Sequence, residues 1–131
     1  MNGGTHAEGA LMLSLARQIQ PMVRDAAVPS LRRLAEQVNA TAHLTLVDGA
    51  EALAVAVVEP SRSDLHVAFR VGARTPLDRG VAGRAAIATR ASGRPLEPGW
   101  VISGGDPAHG GYAVAAPLIG VTGFEASVGV V

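Results

Sequence analysis

Apolar residues near the start of the chain recur at helical spacing. Leu11, Leu15 and Ile19 follow one another at intervals of four residues, which predicts a helix over residues 8–26. Pro21 is expected to kink or split this helix, because proline lacks the amide hydrogen that a helix interior needs. Residues 1–7 are predicted to form a flexible N-terminus.

A second helix is predicted over residues 29–39. Pro29 suits the first turn of a helix. The apolar positions that follow are spaced to form one helix face, and they are Leu31, Leu34, Ala35 and Val38.

From residue 41 onward the hydrophobic pattern changes to alternation, which predicts strands. The predicted strands cover residues 41–47, 51–59, 64–71, 100–103, 112–119 and 124–131. Asp48-Gly49 is a strong hairpin signal between the first two strands. Pro117 suggests that its strand lies at an edge or contains a bulge. A helix is predicted from about residue 80 to residue 90, and irregular loops are predicted over 91–99 and 104–111.

These elements predict an α+β fold. We expect a six-stranded, mostly antiparallel sheet with helices packed on one face and a crossover helix after the third strand. Valine and alanine dominate the strands, so both faces of the sheet are expected to be largely covered. Residues 124–131 have the pattern of a central strand, which suggests a domain cut from a longer protein.

Composition narrows the possible functions. The 131 residues fit one domain, the formal net charge is zero, and no basic run favours nucleic-acid binding by this chain. The absence of cysteine excludes disulfides, thiolate nucleophiles and cysteine-ligated metals. We see no signal peptide and no apolar run near the ~20 residues that span a bilayer, so we expect a cytoplasmic protein without a membrane anchor.

The most informative segment is residues 71–88, where a turn leads into a glycine-spaced helix start. Gly80 and Gly83 leave bare backbone at that point. The first amides of a helix have no partners within the helix and attract polar or anionic groups, so the segment suggests a binding pocket. Thr75 to Asp78 also fits a capping box, a purely structural role.

Several short motifs in this order resemble the effector-binding domain of IclR-type transcriptional regulators, which has a GAF-like fold. The resemblance covers residues 8–131. The motifs are Pro29-Ser30-Leu31, Thr41-Ala42-His43-Leu44, Gly72, Pro76-Leu77-Asp78, Gly83-Arg84-Ala85, Gly99-Trp100, Asp106 to Gly110 and Ala115-Ala116-Pro117. Neither the family's DNA-binding winged helix nor its closing C-terminal helix is recognisable in these 131 residues, so we expect an excised sensor domain rather than a gene that lost its DNA-binding half. Asp78 stands where the family usually has histidine, and Asp106 where it usually has glutamate.

The resemblance implies an effector site between the sheet and the crossover segment. Its residues would be Val81, Ala82, Gly83, Ser103, Asp106, Ala113, Gly129 and Val131. Gly129 and Val131 stand where some relatives have polar side chains, so we expect a roomy, mostly apolar pocket for a small aromatic or amphipathic molecule. The alternative is that these small residues only allow the helix to pack on the sheet.

The function implied is ligand sensing and dimerisation for a transcriptional regulator, with no cofactor or metal and no catalytic residue. The expected partners are a small-molecule effector and further copies of the chain, in a homodimer or homotetramer. The alternative is a stand-alone GAF-like dimerisation module with a vestigial pocket. Known GAF-fold enzymes such as the free-methionine sulfoxide reductases need cysteine, which argues against an enzyme.

Other polar residues allow alternatives. Asp106 and His109 could perform acid–base chemistry, although a turn explains them better. His43 and His66 could bind a metal, but no third ligand is suitably spaced. Arg70 and Arg74 could clamp a carboxylate or could be surface charges. Trp100 is expected in the core or in a pocket wall.

Overall fold

A six-stranded antiparallel sheet organises the chain. A computed structural model describes residues 21–62, 70–88, 90, 99–106, 111–119 and 123–131. The strands are β1 (Ala42–Asp48), β2 (Glu51–Val58), β3 (Arg74–Pro76), β4 (Val101–Asp106), β5 (Gly111–Pro117) and β6 (Ala126–Val130). Their order across the sheet is β3-β2-β1-β6-β5-β4. The helical pattern before residue 21, most of the predicted strand 64–71 and the predicted loop over 91–98 lie outside the described residues.

The first described helix, α1, is continuous over residues 21–38. The prediction of two helices separated near residue 28 was therefore wrong. Pro29 lies on the exposed side of α1, as does Asp25, whose carbonyl loses its usual helical donor at Pro29. The opposite side of the helix packs on the sheet both before and after Pro29, and this shared contact explains why the helix continues. The packed residues are Val23, Ala27, Val28, Leu31, Leu34 and Ala35.

The end of α1 shows why Val38 does not belong to the packed face. Asn39 has a φ of 52°, in the left-handed region, and the amide of Ala40 donates to the carbonyl of Ala35 at 3.2 Å. This pattern is a Schellman-type helix end. The chain turns away at this point, and Val38 is 50% exposed.

The β1–β2 hairpin confirms the predicted turn. Asp48 and Glu51 are paired, and the loop between them contains Gly49 with a φ of 62°. A two-residue hairpin loop favours positive φ, which glycine adopts without strain. The register shifts between Leu44 and Thr45, where β2 carries one extra residue.

The predicted capping box is wrong, because Thr75 and Pro76 lie in β3, Leu77 and Asp78 lie in the turn after it, and the residue that caps the next helix is Gly80. Thr75 pairs with Ala52 of β2, and the amide of Leu77 donates to the carbonyl of Ala50 at 3.3 Å. Pairing with β2 keeps the backbone extended through Pro76, so the next helix, α2, covers only Val81–Ala86. It is shorter than the predicted 80–90 helix, and its N-cap is Gly80.

The glycine-rich stretch over residues 104–111, which was predicted to be an irregular loop, belongs in part to strands. β4 continues through Asp106, and β5 begins at Gly111. Asp106 pairs with Gly111, and the register is irregular between Ser103 and Asp106. Residues 107–110 lie outside the described residues. β5 lies between β6 and β4, so Pro117 is the last residue of an inner strand and not part of an edge strand.

The α+β class and the antiparallel sheet are confirmed. The two described helices cover opposite faces, so the prediction that the helices pack on one face was wrong. The main core joins α1 to the face of β1 that carries Leu44 and Leu46. A second, smaller cluster joins α2 to Ala115 on the opposite face of the sheet. Gly129, the partner of Ala115 in the register, lies on this second face as well. Both faces of β1 are therefore buried, as the composition of the strands predicted.

Candidate ligand site between helix α2 and the sheet

Helix α2 lies on a face of the sheet made largely of small residues. Val81 and Ala85 are buried and pack on Ala115 of β5, with Val101 and Ala113 partly buried beside them. Alanine and glycine on the strands let the helix backbone approach closely. The described contacts therefore seat α2 mainly over β5 and β6.

A hydroxyl group ties α2 to β6. Ser127 is fully buried, and its Oγ donates to the carbonyl oxygen of Ala82 at 2.8 Å. Ala82 lies in the first turn of α2, so this bond fixes the start of the helix relative to the centre of the sheet.

Gly83 is explained by a close backbone approach. A Cβ atom at this position would lie 2.7 Å from the carbonyl oxygen of Leu77 and 3.0 Å from its Cα. Real Cβ atoms do not approach backbone atoms this closely, so only glycine fits without a shift. The glycine spacing that suggested a pocket therefore has a packing role at Gly83.

The start of α2 presents backbone amides. Gly80 has extended backbone, with φ −169° and ψ 161°, and makes no side-chain cap. The first intrahelical bond runs from the amide of Arg84 to the carbonyl of Gly80, at 3.2 Å. The amides of Val81, Ala82 and Gly83 precede that bond, and helix-start amides of this kind suit a polar group of a ligand.

His43 is a buried ionisable side chain on the same face. It is 3% exposed, and its Nδ1 lies 3.4 Å from the hydroxyl of Thr45. Burial lowers the pKa of the His43 imidazole to about 4, so the ring is neutral at physiological pH.

The ring of His43 lies against Gly129. A Cβ at Gly129 would lie 2.7 Å from Cε1 and 2.8 Å from Nε2 of the imidazole, and 2.6 Å from the carbonyl oxygen of Val114. Gly129 therefore makes room both for the imidazole of His43 and for the neighbouring strand.

The structure brings most of the predicted site residues to one face. Val81, Ala82 and Gly83 lie in α2 above the sheet. Gly129 is paired with both His43 and Ala115, and Ala113 is paired with Ser103 further along β5 and β4. By the alternation of the strands, these strand positions share the face that α2 covers.

Two predicted residues lie at the margins of this arrangement. Asp106 lies at the far end of β4, three residues beyond Ser103, and is paired with Gly111. Val131 follows β6, and its amide and carbonyl bond to Thr41 at 2.9 and 3.0 Å.

His43 and Ser127 face the candidate site, and sequence reasoning did not include them among the site residues. Alternation put His43 opposite Leu44, but only the strand register shows that it meets Gly129.

The structure gives no support to the other functional roles that the sequence suggested for arginine, tryptophan and histidine residues. Arg74 forms ion pairs with Asp48 at 2.8 Å and with Glu51 at 3.5 Å, and these contacts raise its pKa. It therefore serves the β1–β2–β3 edge and is not a carboxylate clamp. Trp100 is 46% exposed, so it does not lie in the core, and its place in a pocket wall stays a prediction. The described residues contain no group of three metal-ligating side chains, and His66 and His109 lie outside them.

Comparison with known families settles the relationship. Residues 19–95, more than half of the chain, match the family described as bacterial transcriptional regulator IclR C-terminal. The chain belongs to this family. Its members are regulatory domains and not enzymes, and the antiparallel α+β sheet described above is their fold. The matched range contains α1, the β1–β2 hairpin and α2.

Solved structures of IclR-type regulators share this fold. A transcriptional regulator from Rhodococcus sp. has a TM-score of 0.69 and 22% identity, over 90% of this chain and 61% of its own. An IclR regulator from Silicibacter sp. has a TM-score of 0.70 and 19% identity, over 93% and 60%. An IclR homologue from Microbacterium hydrocarbonoxydans, in complex with 4-hydroxybenzoate, has a TM-score of 0.65 and 16% identity, over 84% and 57%.

The chain thus spans about three fifths of the length of most of these structures. No curated protein sequence matches it significantly. Within the part of the chain that the structure describes, no helix is long and apolar enough to cross a membrane.

Proposed function

We propose that this domain senses a small aromatic or amphipathic effector, bound between α2 and the sheet, on behalf of a cytoplasmic transcriptional regulator. The observation that carries the proposal is the position of α2 on the sheet. Its uncapped first amides lie over a face of small residues, in a domain of a regulator family. The related protein from Microbacterium hydrocarbonoxydans in complex with 4-hydroxybenzoate supports the choice of effector class.

The composition of this face supports a mostly apolar ligand with one or two polar groups. Ala113 and Ala115 provide apolar surface, and the first amides of α2 provide hydrogen-bond donors. Pockets for small organic molecules commonly combine these two features. The effector would act by binding one arrangement of α2 and the neighbouring loops better than another, because only such a difference shifts a population.

We also propose that the domain dimerises or tetramerises and that DNA binding belongs to another part of the regulator. A dimerisation module with a vestigial pocket is the competing function. The close packing of Val81 and Ala85 on Ala115 favours it, because it shows that part of the α2 interface is filled by protein atoms.

Thermal-shift screening separates the two functions. Aromatic acids, including 4-hydroxybenzoate, keto acids and acyl lactones are tested against the whole chain, and concentration-dependent stabilisation by at least one of them is expected. A wide screen with no stabilisation would favour the dimerisation module. Size-exclusion chromatography with light scattering measures the oligomeric state in the same samples.

A bulky substitution tests where the ligand binds. Ala82→Trp should fill the space between α2 and the sheet and abolish stabilisation by any ligand found in the screen. Ala50→Trp adds the same side chain in the exposed β1–β2 turn and should leave binding unchanged. Binding that survives Ala82→Trp would place the ligand elsewhere.

A further inference from the structure

The hydrogen bond between Ser127 and α2 links two elements that are distant in sequence. The hydroxyl lies 45 residues from its acceptor, the carbonyl oxygen of Ala82. A buried serine more often bonds to backbone near its own position. The side chain is fully buried, and an alanine at position 127 would differ from it only by the missing hydroxyl group.

The described contacts between α2 and the sheet are mostly packing contacts of apolar and small residues. The helix has six residues, and a helix of that length is not stable without tertiary contacts. Its apolar contacts are made by Val81 and Ala85 with Ala115 of β5, and Val101 of β4 and Ala113 of β5 pack beside them. The side chain of Arg84 bonds to Gly80 at the start of the same helix and so does not tie it to the sheet. Ser127 supplies the polar contact on the β6 side.

The position of this bond matters for the proposed site. Ala82 is one of the residues whose backbone would line the site, and Gly129 lies two residues beyond Ser127 on the same face of β6. Thr45 lies directly across from Ser127 in the register, and its hydroxyl contacts His43. Ser127 therefore fixes the distance between the helix start and the floor of the site.

We propose that Ser127 is a positioning residue that holds the first turn of α2 over β6 and thereby sets the geometry of the effector site. The part of this inference that concerns the effector rests on the proposed function. Without the hydroxyl, α2 remains held on the β5 side by Val81 and Ala85, while the hydrogen bond between its first turn and β6 is lost.

Amide hydrogen exchange on the whole chain tests this role. In Ser127→Ala, the amides of Arg84 and Ile87, which bond within and just after α2, should exchange roughly fivefold faster, as expected for one lost hydrogen bond. The amides of Val47 and Val131, which bond within the sheet, should keep their rates. Faster exchange at all four amides by the same factor would show a general loss of stability and would overturn the proposal.

Thr45→Val is the matched control. It removes a buried hydroxyl from the residue opposite Ser127 and preserves the shape of the side chain, but the lost contact is with His43 and not with α2. Relative to the sheet amides, the amides of Arg84 and Ile87 should keep their rates. If Thr45→Val accelerates them as much as Ser127→Ala does, the effect is not specific to the bond with Ala82, and the proposal fails.

Titration with 4-hydroxybenzoate tests the link to the effector site. If the natural chain binds this probe, Ser127→Ala should weaken binding several-fold while Thr45→Val has a smaller effect. Unchanged affinity in a variant with a loosened α2 would overturn the link between Ser127 and the site. Failure of the natural chain to bind any compound in the screen would contradict the proposed function, and hydrogen exchange would still decide whether Ser127 positions α2.

Discussion

At the scale of single residues, buried polar groups and glycines explain the face of the sheet under α2. His43 is neutral because water is excluded from it, and Gly129 provides the space that its ring occupies. Each of these two residues leads to a separate prediction about the stability of the domain.

The first prediction concerns pH. The pKa of His43 is about 4 in the folded protein and about 6.5 in an unfolded chain, so the unfolded state binds more protons between these values. The stability linked to His43 is therefore fully present above pH 6.5 and is lost as the pH falls toward 4. The shift corresponds to a loss of about 3 kcal/mol at most.

Urea unfolding between pH 4 and pH 7 checks this dependence. His43→Gln carries no ionisable group and should show a flatter dependence in the same window, while the other histidines contribute equally to both proteins. If the natural chain and the variant lose the same stability between pH 7 and pH 4, the pKa of His43 is not lowered by burial, and the prediction fails.

The second prediction compares two glycines. Gly129→Ala should destabilise the domain by about 1–3 kcal/mol, because the added Cβ meets Val114 and His43 in a packed interior. Gly80→Ala is the control, since nothing lies within 4 Å of its Cβ position and its backbone is extended, at φ −169°. Thermal or urea unfolding measures both variants, and equal effects would contradict the close approach at Gly129.

At the scale of elements, α1 is held by contacts along its length more than by its own sequence. Its packed side crosses Pro29 without interruption, and Glu36 near its end accepts hydrogen bonds from the amide and the hydroxyl of Ser61, at 2.8 and 3.0 Å. These bonds lower the pKa of Glu36 and join α1 to the turn after β2. Arg90 and Glu125 make a comparable two-bond contact between the turn after α2 and the segment before β6.

The third prediction concerns Pro29. Pro29→Ala should stabilise the domain by about 1–2 kcal/mol, because it restores an amide donor for the carbonyl of Asp25 in the helix interior. Ser30→Ala, at the neighbouring exposed position, should change stability by only a few tenths of a kcal/mol, since it leaves that donor unchanged. Urea unfolding compares the two, and a destabilised Pro29→Ala would indicate a helix that begins at Pro29, as the sequence alone suggested.

At the scale of the whole molecule, the sequence predicts the sheet better than the site. Alternation of apolar residues locates β1, β2, β5 and β6, because each of these strands carries its own pattern. It does not predict β3, which has three residues and depends on pairing with β2. It also does not show which helix lies on which face, because that follows from packing between distant segments.

The candidate site is predictable in part for the same reason. The glycine-spaced helix start led to Val81, Ala82 and Gly83, and the resemblance led to the small residues on the strands. His43 and Ser127 were missed because their importance comes from partners far along the chain, at Gly129 and Ala82. Only the register of β1 with β6 and the seat of α2 bring these partners together.

The strand order has a consequence for how the domain is made in the cell. The hairpins β1–β2 and β4–β5 join strands that are neighbours in sequence, whereas β6 joins the two halves of the sheet by pairing with both β1 and β5. During synthesis on the ribosome, β1 and β2 can pair early, but the edge of β1 that pairs with β6 stays unpaired until β6 has been synthesised. Closing so long a loop is slow, and exposed strand edges attract other chains. The nascent chain is therefore most vulnerable to misassembly, and most in need of a chaperone, just before β6 emerges.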